Sequence, residues 1–118
     1  MTTGKFVATA LLCTVAAAAE ERIAGKWNCV NVPAGGGESP WTLLIRDEGA
    51  QRSGSLTDGE IDIPLTEIKL VNGSLSFRFS INGKPYGFAG SVAGNKLEGK
   101  YSGEEASGTL RCARPPRQ

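Results

Sequence analysis

The sequence predicts an all-β protein, a small antiparallel up-and-down barrel of about eight strands closed between the first and the last. Three observations carry this. Between residues 74 and 101 the chain alternates with a period of two: Leu75, Phe77, Phe79 and Ile81 share one face, and Ser74, Ser76, Arg78 and Ser80 the other. That is a sheet with one wet side and one dry side. Turn signals (Asp58-Gly59, Asn72-Gly73, Asn82-Gly83, Ala93-Gly94-Asn95) recur at short intervals and keep each connection short. Finally, Cys29 falls in phase with Trp27 on the first strand, and Cys112 in phase with Leu110 on the last. A disulfide between them needs Cα atoms roughly 4.4–6.8 Å apart, so the terminal strands must meet.

The strands follow in order. The first covers Gly25 to Val32, and the second runs Trp41 to Asp47 after the irregular loop Pro33 to Pro40. The third is Arg52 to Thr57, closed by the Asp58-Gly59 turn. Ile61 and Ile63 alternate up to Pro64, which cannot donate to a ladder. Ile68 and Leu70 resume on the opposite parity, so the fourth strand starts irregularly, with a bulge or bend near Leu65–Glu67. Strands five to eight cover Ser74 to Ile81, Pro85 to Val92, Lys96 to Tyr101 and Ser107 to Ala113. Pro115-Pro116 stops the last, leaving a short tail. Asn72-Gly73-Ser74 matches a glycosylation sequon, but an Asn-Gly turn accounts for it.

Parity places all the aromatic side chains from Trp27 onward inside, among them Trp27, Trp41, Phe77, Phe88 and Tyr101. Gly90, Gly99 and Gly108 fall on the same phase, where a glycine lets a strand coil sharply or a ring approach the backbone.

Residues 1–19 read as a secretion signal: Lys5, an uncharged apolar run from Phe6, and Ala17-Ala18-Ala19 before Glu20. The run is short for a span of roughly 20 residues. The other reading is a buried N-terminal helix. Lipidation at Cys13 is rejected, because Leu12 stands where a small residue is required. One domain, residues 20–118, remains, about 99 residues long. With Lys5 taken from the 13 basic residues, 12 stand against 12 acidic ones. That balance argues against nucleic acid or an anionic membrane as partner, and no membrane span follows the signal. Cys29 and Cys112 are expected to form one disulfide in a secreted or periplasmic compartment, the alternative being two free thiols in redox chemistry. The bond closes a loop of about 84 residues, worth roughly 4–5 kcal/mol in the chain-entropy model.

Histidine is absent, which removes Ser-His-Asp and Cys-His sites and the usual zinc ligands. No enzyme, cofactor or metal site is expected. Asp58, Glu60 and Asp62 cluster at a turn, but their spacing matches no calcium loop, and a solvated charged turn accounts for them. Gly35-Gly36-Gly37 lacks the lysine and hydroxyl of a phosphate loop.

Gly25-Lys26-Trp27 opens the first strand as Gly-x-Trp, and a basic residue, Arg111 or Arg114, lies on or just beyond the last. This pairing resembles the signature of the calycin superfamily, the lipocalin-like barrels. The run from Trp41 to Arg114 is similar to small secreted bacterial proteins of that kind. The resemblance implies that Gly25, Trp27 and the arginine close one end of the barrel. It implies a carrier whose ligand, a small apolar molecule, is lined by Trp27, Trp41, Phe77, Phe88 and Tyr101. The alternative is a solid interaction module with a secreted protein partner, which would engage the loop Pro33 to Pro40 or the arm Glu20 to Ala24. Small periplasmic metalloprotease inhibitors resemble the chain in signal, Gly-x-Trp, size and single disulfide. A monomer is expected in either case.

Overall fold

A computed structural model of the chain describes residues 23–115. The signal at 1–19, residues 20–22 of the arm and the tail from Pro116 lie outside the described residues.

Nine strands form one antiparallel sheet: β1 (Gly25–Pro33), β2 (Ser39–Glu48), β3 (Gln51–Thr57), β4 (Asp62–Pro64), β5 (Thr66–Val71), β6 (Ser74–Ile81), β7 (Lys84–Ala93), β8 (Lys96–Gly103) and β9 (Ser107–Ala113). Among the described residues there is no helix. The spatial order β4-β3-β2-β1-β9-β8-β7-β6-β5 is a meander whose first and last strands have come together in the middle. Cys29 sits directly opposite Cys112 in the β1–β9 ladder, their Cα atoms 3.9 Å apart, and the two sulfurs are bonded. Cys29 and Cys112 are buried, so the bond lies among the interior side chains.

The fourth strand differs from the expectation of a single element. It is two strands, β4 and β5, separated at Leu65. They run in the same direction, but β4 pairs with β3 and β5 pairs with β6. One interrupted strand therefore changes neighbours half-way. Pro64 has no amide hydrogen with which to extend the first ladder. Glu67, with φ 53°, marks the bulge at which the β5–β6 register shifts. Between β4 and β5 the barrel keeps one unsealed seam, so it is nearly closed rather than closed. On the β3 side of the seam the amide of Leu65 adds one more bond beyond Pro64, donating to the carbonyl of Gly54 at 2.9 Å. The bare Cα of Gly54 also leaves room for the side chains of Leu65 and Ile68, and a Cβ there would lie 3.2 and 3.5 Å from them.

The turns follow their chemistry. Asn72-Gly73 and Asn82-Gly83 have positive φ at both residues (52° and 80°; 54° and 80°), as two-residue hairpins with the right-handed strand twist require. At the β3–β4 turn the Asp58 carboxylate accepts the amides of Glu60 and Ile61 at 2.9 and 3.0 Å. These donors hold its pKa below the usual value. The long loop is shorter than expected, because β1 reaches Pro33 and β2 begins at Ser39.

Aromatic rings on β6 and β7 fill one side of the interior, and leucine and isoleucine side chains fill much of the rest. Phe77 stacks on its cross-strand partner Phe88 at 4.6 Å between centroids, and Phe79 on Tyr86 at 5.4 Å. Gly90 and Gly99 face each other across β7–β8, and the Phe88 ring lies over both. A Cβ at Gly99 would stand 2.5 Å from Phe88 Cζ, so the glycines are there to let the ring down onto the backbone. Trp27, Leu43, Phe77, Leu75 and Leu97 are essentially inaccessible to water. Each such side chain contributes about 1.5–3 kcal/mol relative to an exposed one.

Candidate functional site

Chain direction alternates through the meander, so the two ends of the barrel collect different residues. One end holds the start of β1. Gly25 there has φ 131°, a conformation that an L side chain rarely adopts, which gives the Gly-x-Trp pattern a backbone reason. Trp27 is fully buried and its Nε1 donates to the carbonyl of Ile23 at 3.0 Å. The guanidinium of Arg114 covers its ring, with Cζ 4.2 Å from the centroid. Arg114 Nη1 donates to the carbonyl of Ala24 at 3.2 Å. This end is plugged.

Arg111 takes no part in the plug. It lies between the inward-facing Leu110 and Cys112, so the alternation of β9 turns it outward. There it approaches Glu38 of the β1–β2 loop at 3.8 Å, in water. Of the two arginines that the sequence offers, the geometry selects Arg114.

At the other end lie the last residues of β1, β3, β6 and β8 and the first of β2, β7 and β9. A cavity of about 70 Å³ opens there. Trp41, Phe77, Phe88 and Tyr101 are among the residues that line it. Trp27 does not: it belongs to the plug at the far end. The remaining wall comes from Asn31, Leu56, Ile63, Phe79, Ile81 and Leu110. Ile63 of β4 and Ile81 of β6 contribute from opposite sides of the seam. Trp41, Ile81 and Tyr101 are only partly buried and form the mouth, with Trp41 Nε1 held by Ser39 Oγ at 3.2 Å.

The size decides what can enter. An apolar cavity of about 150 Å³ holds benzene, and drug-sized ligands occupy roughly 300–1,000 Å³. A space of about 70 Å³ takes one small group or the tip of a larger one. The rest of the barrel is occupied by its own side chains, because an eight-strand circumference has room for side chains or one small ligand.

The polar residue on this wall, Asn31, was not among the sequence candidates. Its signal was present: Asn31 continues the inward phase of Trp27 and Cys29 and is the one polar residue on it. Tyr101 Oη donates to Asn31 Oδ1 at 2.7 Å. Burial pushes the Tyr101 hydroxyl above the ordinary tyrosine range.

A second, larger concavity of about 380 Å³ lies on the outer face of β5 to β8. Its floor is Ser76, Gly87, Ala89 and Ser102, with Lys69, Arg78 and Lys100 around it. Arg78 stands 3.9 Å from Glu67, both exposed. Such solvated pairs contribute little, and this furrow lacks the enclosing apolar wall that marks the cavity at the barrel end. Among the described residues, no group of three or more His, Cys, Asp or Glu side chains is placed to hold a metal ion.

Comparison with family models, curated proteins and solved structures finds no match to this chain. The geometry by itself is an all-β, nearly closed barrel compatible with a calycin-like fold.

Proposed function

We propose that this chain is a non-catalytic, lipocalin-like binding module of the secreted or periplasmic space that seats one small apolar group at the open end of its barrel. The observation that carries the reading is the aromatic-lined cavity between Trp41, Phe77, Phe88 and Tyr101, open at one end and plugged by Trp27 and Arg114 at the other. Concave apolar walls with a few convergent polar groups are the usual form of a small-molecule site. The Cys29–Cys112 bond supports an oxidising compartment. The absence of histidine supports a role without chemistry. A lipid-sized cargo is not part of this reading, because its volume is many times that of the cavity.

The test is a titration of the ¹⁵N-labelled protein with toluene, followed by amide NMR. Saturable shifts grouped at Asn31, Trp41, Ile81 and Tyr101 are expected. An absence of saturable shifts, or shifts grouped around Trp27, contradicts the reading.

The small volume also favours a second reading, an interaction module with a filled core that resembles the periplasmic protease inhibitors. The loop at 34–38 rises on the same rim as the cavity, with Ala34 N bonded to Ser107 O at 2.9 Å. In this reading a secreted protein partner engages that loop, and toluene does not compete with the partner.

A further inference from the structure

The wall of the end cavity is apolar except where Tyr101 meets Asn31. Their hydrogen bond leaves a defined remainder. The tyrosine hydrogen is committed to Asn31 Oδ1, so Oη keeps its acceptor capacity. The amide Nδ2 of Asn31 keeps its hydrogens and makes no hydrogen bond to the described residues. One acceptor and one donor thus stand side by side on residues that line the cavity, fixed by strands rather than by loops. Tyr101 is on β8 and Asn31 on β1, with β9 between them. Opposite Tyr101 on β9 stands Gly108, where a Cβ would come within 2.6 Å of the tyrosine oxygen. The missing side chain is what lets the hydroxyl reach Asn31.

We infer that Asn31 and Tyr101 select the ligand of this cavity for a hydroxyl: a small branched group, or the edge of a ring, bearing one OH. The inference rests on the reading that the end cavity binds an apolar group, and it names the chemistry of that group. A hydroxyl oxygen can accept from Nδ2 while its hydrogen is donated to Oη. A ketone answers only the first of these. A carboxylate would bring a charge against a wall that has no cation in it.

Toluene and phenol are matched probes, since a methyl and a hydroxyl are close in size. Both are titrated by amide NMR into the full-chain protein and into Asn31→Leu and Tyr101→Phe. Phenol is expected to bind about fivefold more tightly than toluene, the effect of one net neutral hydrogen bond. Each substitution is expected to bring the ratio close to one. Tyr101→Phe keeps the ring and carries the test alone if Asn31→Leu does not fold. Equal binding of the two probes at the mouth, or a preference unchanged in Tyr101→Phe, overturns the inference and leaves the proposed site standing. Failure of both probes to bind there overturns the site itself, and the inference with it.

Discussion

The guanidinium carbon of Arg114 stands 4.2 Å from the centre of the Trp27 ring, and the same side chain donates to the Ala24 carbonyl. Two residues nearly ninety positions apart thus cap one end of the barrel, just beyond the strand pair that the disulfide joins. Arg114→Ala should destabilise the protein by about 1–2 kcal/mol, combining a partly desolvated cation–π contact with a lost hydrogen bond. Arg114→Lys should recover only part of that, because an ammonium lacks the planar fork. Arg111→Ala should change stability by no more than about 0.5 kcal/mol, as for most surface sites. Urea denaturation of the three variants checks the assignment, and an equal loss at both arginines would refute it.

The disulfide makes a separate prediction. Cys29 and Cys112 are register partners buried in the core, and their bond spans 83 positions of sequence. Under denaturing, non-reducing conditions neither cysteine should take up a thiol label, as read by peptide mass. Reduction should lower the unfolding free energy by roughly 4–5 kcal/mol if the chain-entropy model holds. For a domain of this size that is a large part of net stability, so the reduced protein should melt far lower or fail to refold.

Tyr101 should contribute to a loss of stability at alkaline pH. Burial raises its pKa in the folded state above the ordinary value of 10.0, so the unfolded chain loses this proton first. The contribution is fully present below about pH 10 and is lost as the pH climbs through the folded pKa. Stability should therefore fall with rising pH above that point, and Tyr101→Phe should flatten the fall. Denaturation curves at several alkaline pH values measure both slopes; identical slopes would exclude Tyr101 as the cause.

Much of the fold was legible in the residues, because its causes are local. Alternation along Ser74–Ile81 assigned the inner face, and the Asn-Gly pairs set two hairpins by their need for positive φ. The phase of Cys29 and Cys112 located the closure. The exchange of partners at Leu65 was not legible. Pro64 and the parity change announced an irregularity, but whether the strand continues beside its old neighbour or a new one depends on how the whole sheet curls. The cavity was legible in composition and not in size, since its volume depends on how closely all of its lining side chains pack. Trp27 and Trp41 looked alike by parity. They part because Trp27 lies at the start of β1, under Arg114, while Trp41 starts β2 at the opposite rim.

The open end of the barrel holds an accessible apolar space, and the plugged end does not. A crystal of the protein pressurised with xenon tests it most directly. One bound xenon is expected among Phe77, Phe88, Leu110 and Ile63, displaced when the crystal is soaked in toluene. A crystal that takes up no xenon, or takes it up beside Trp27, would contradict it.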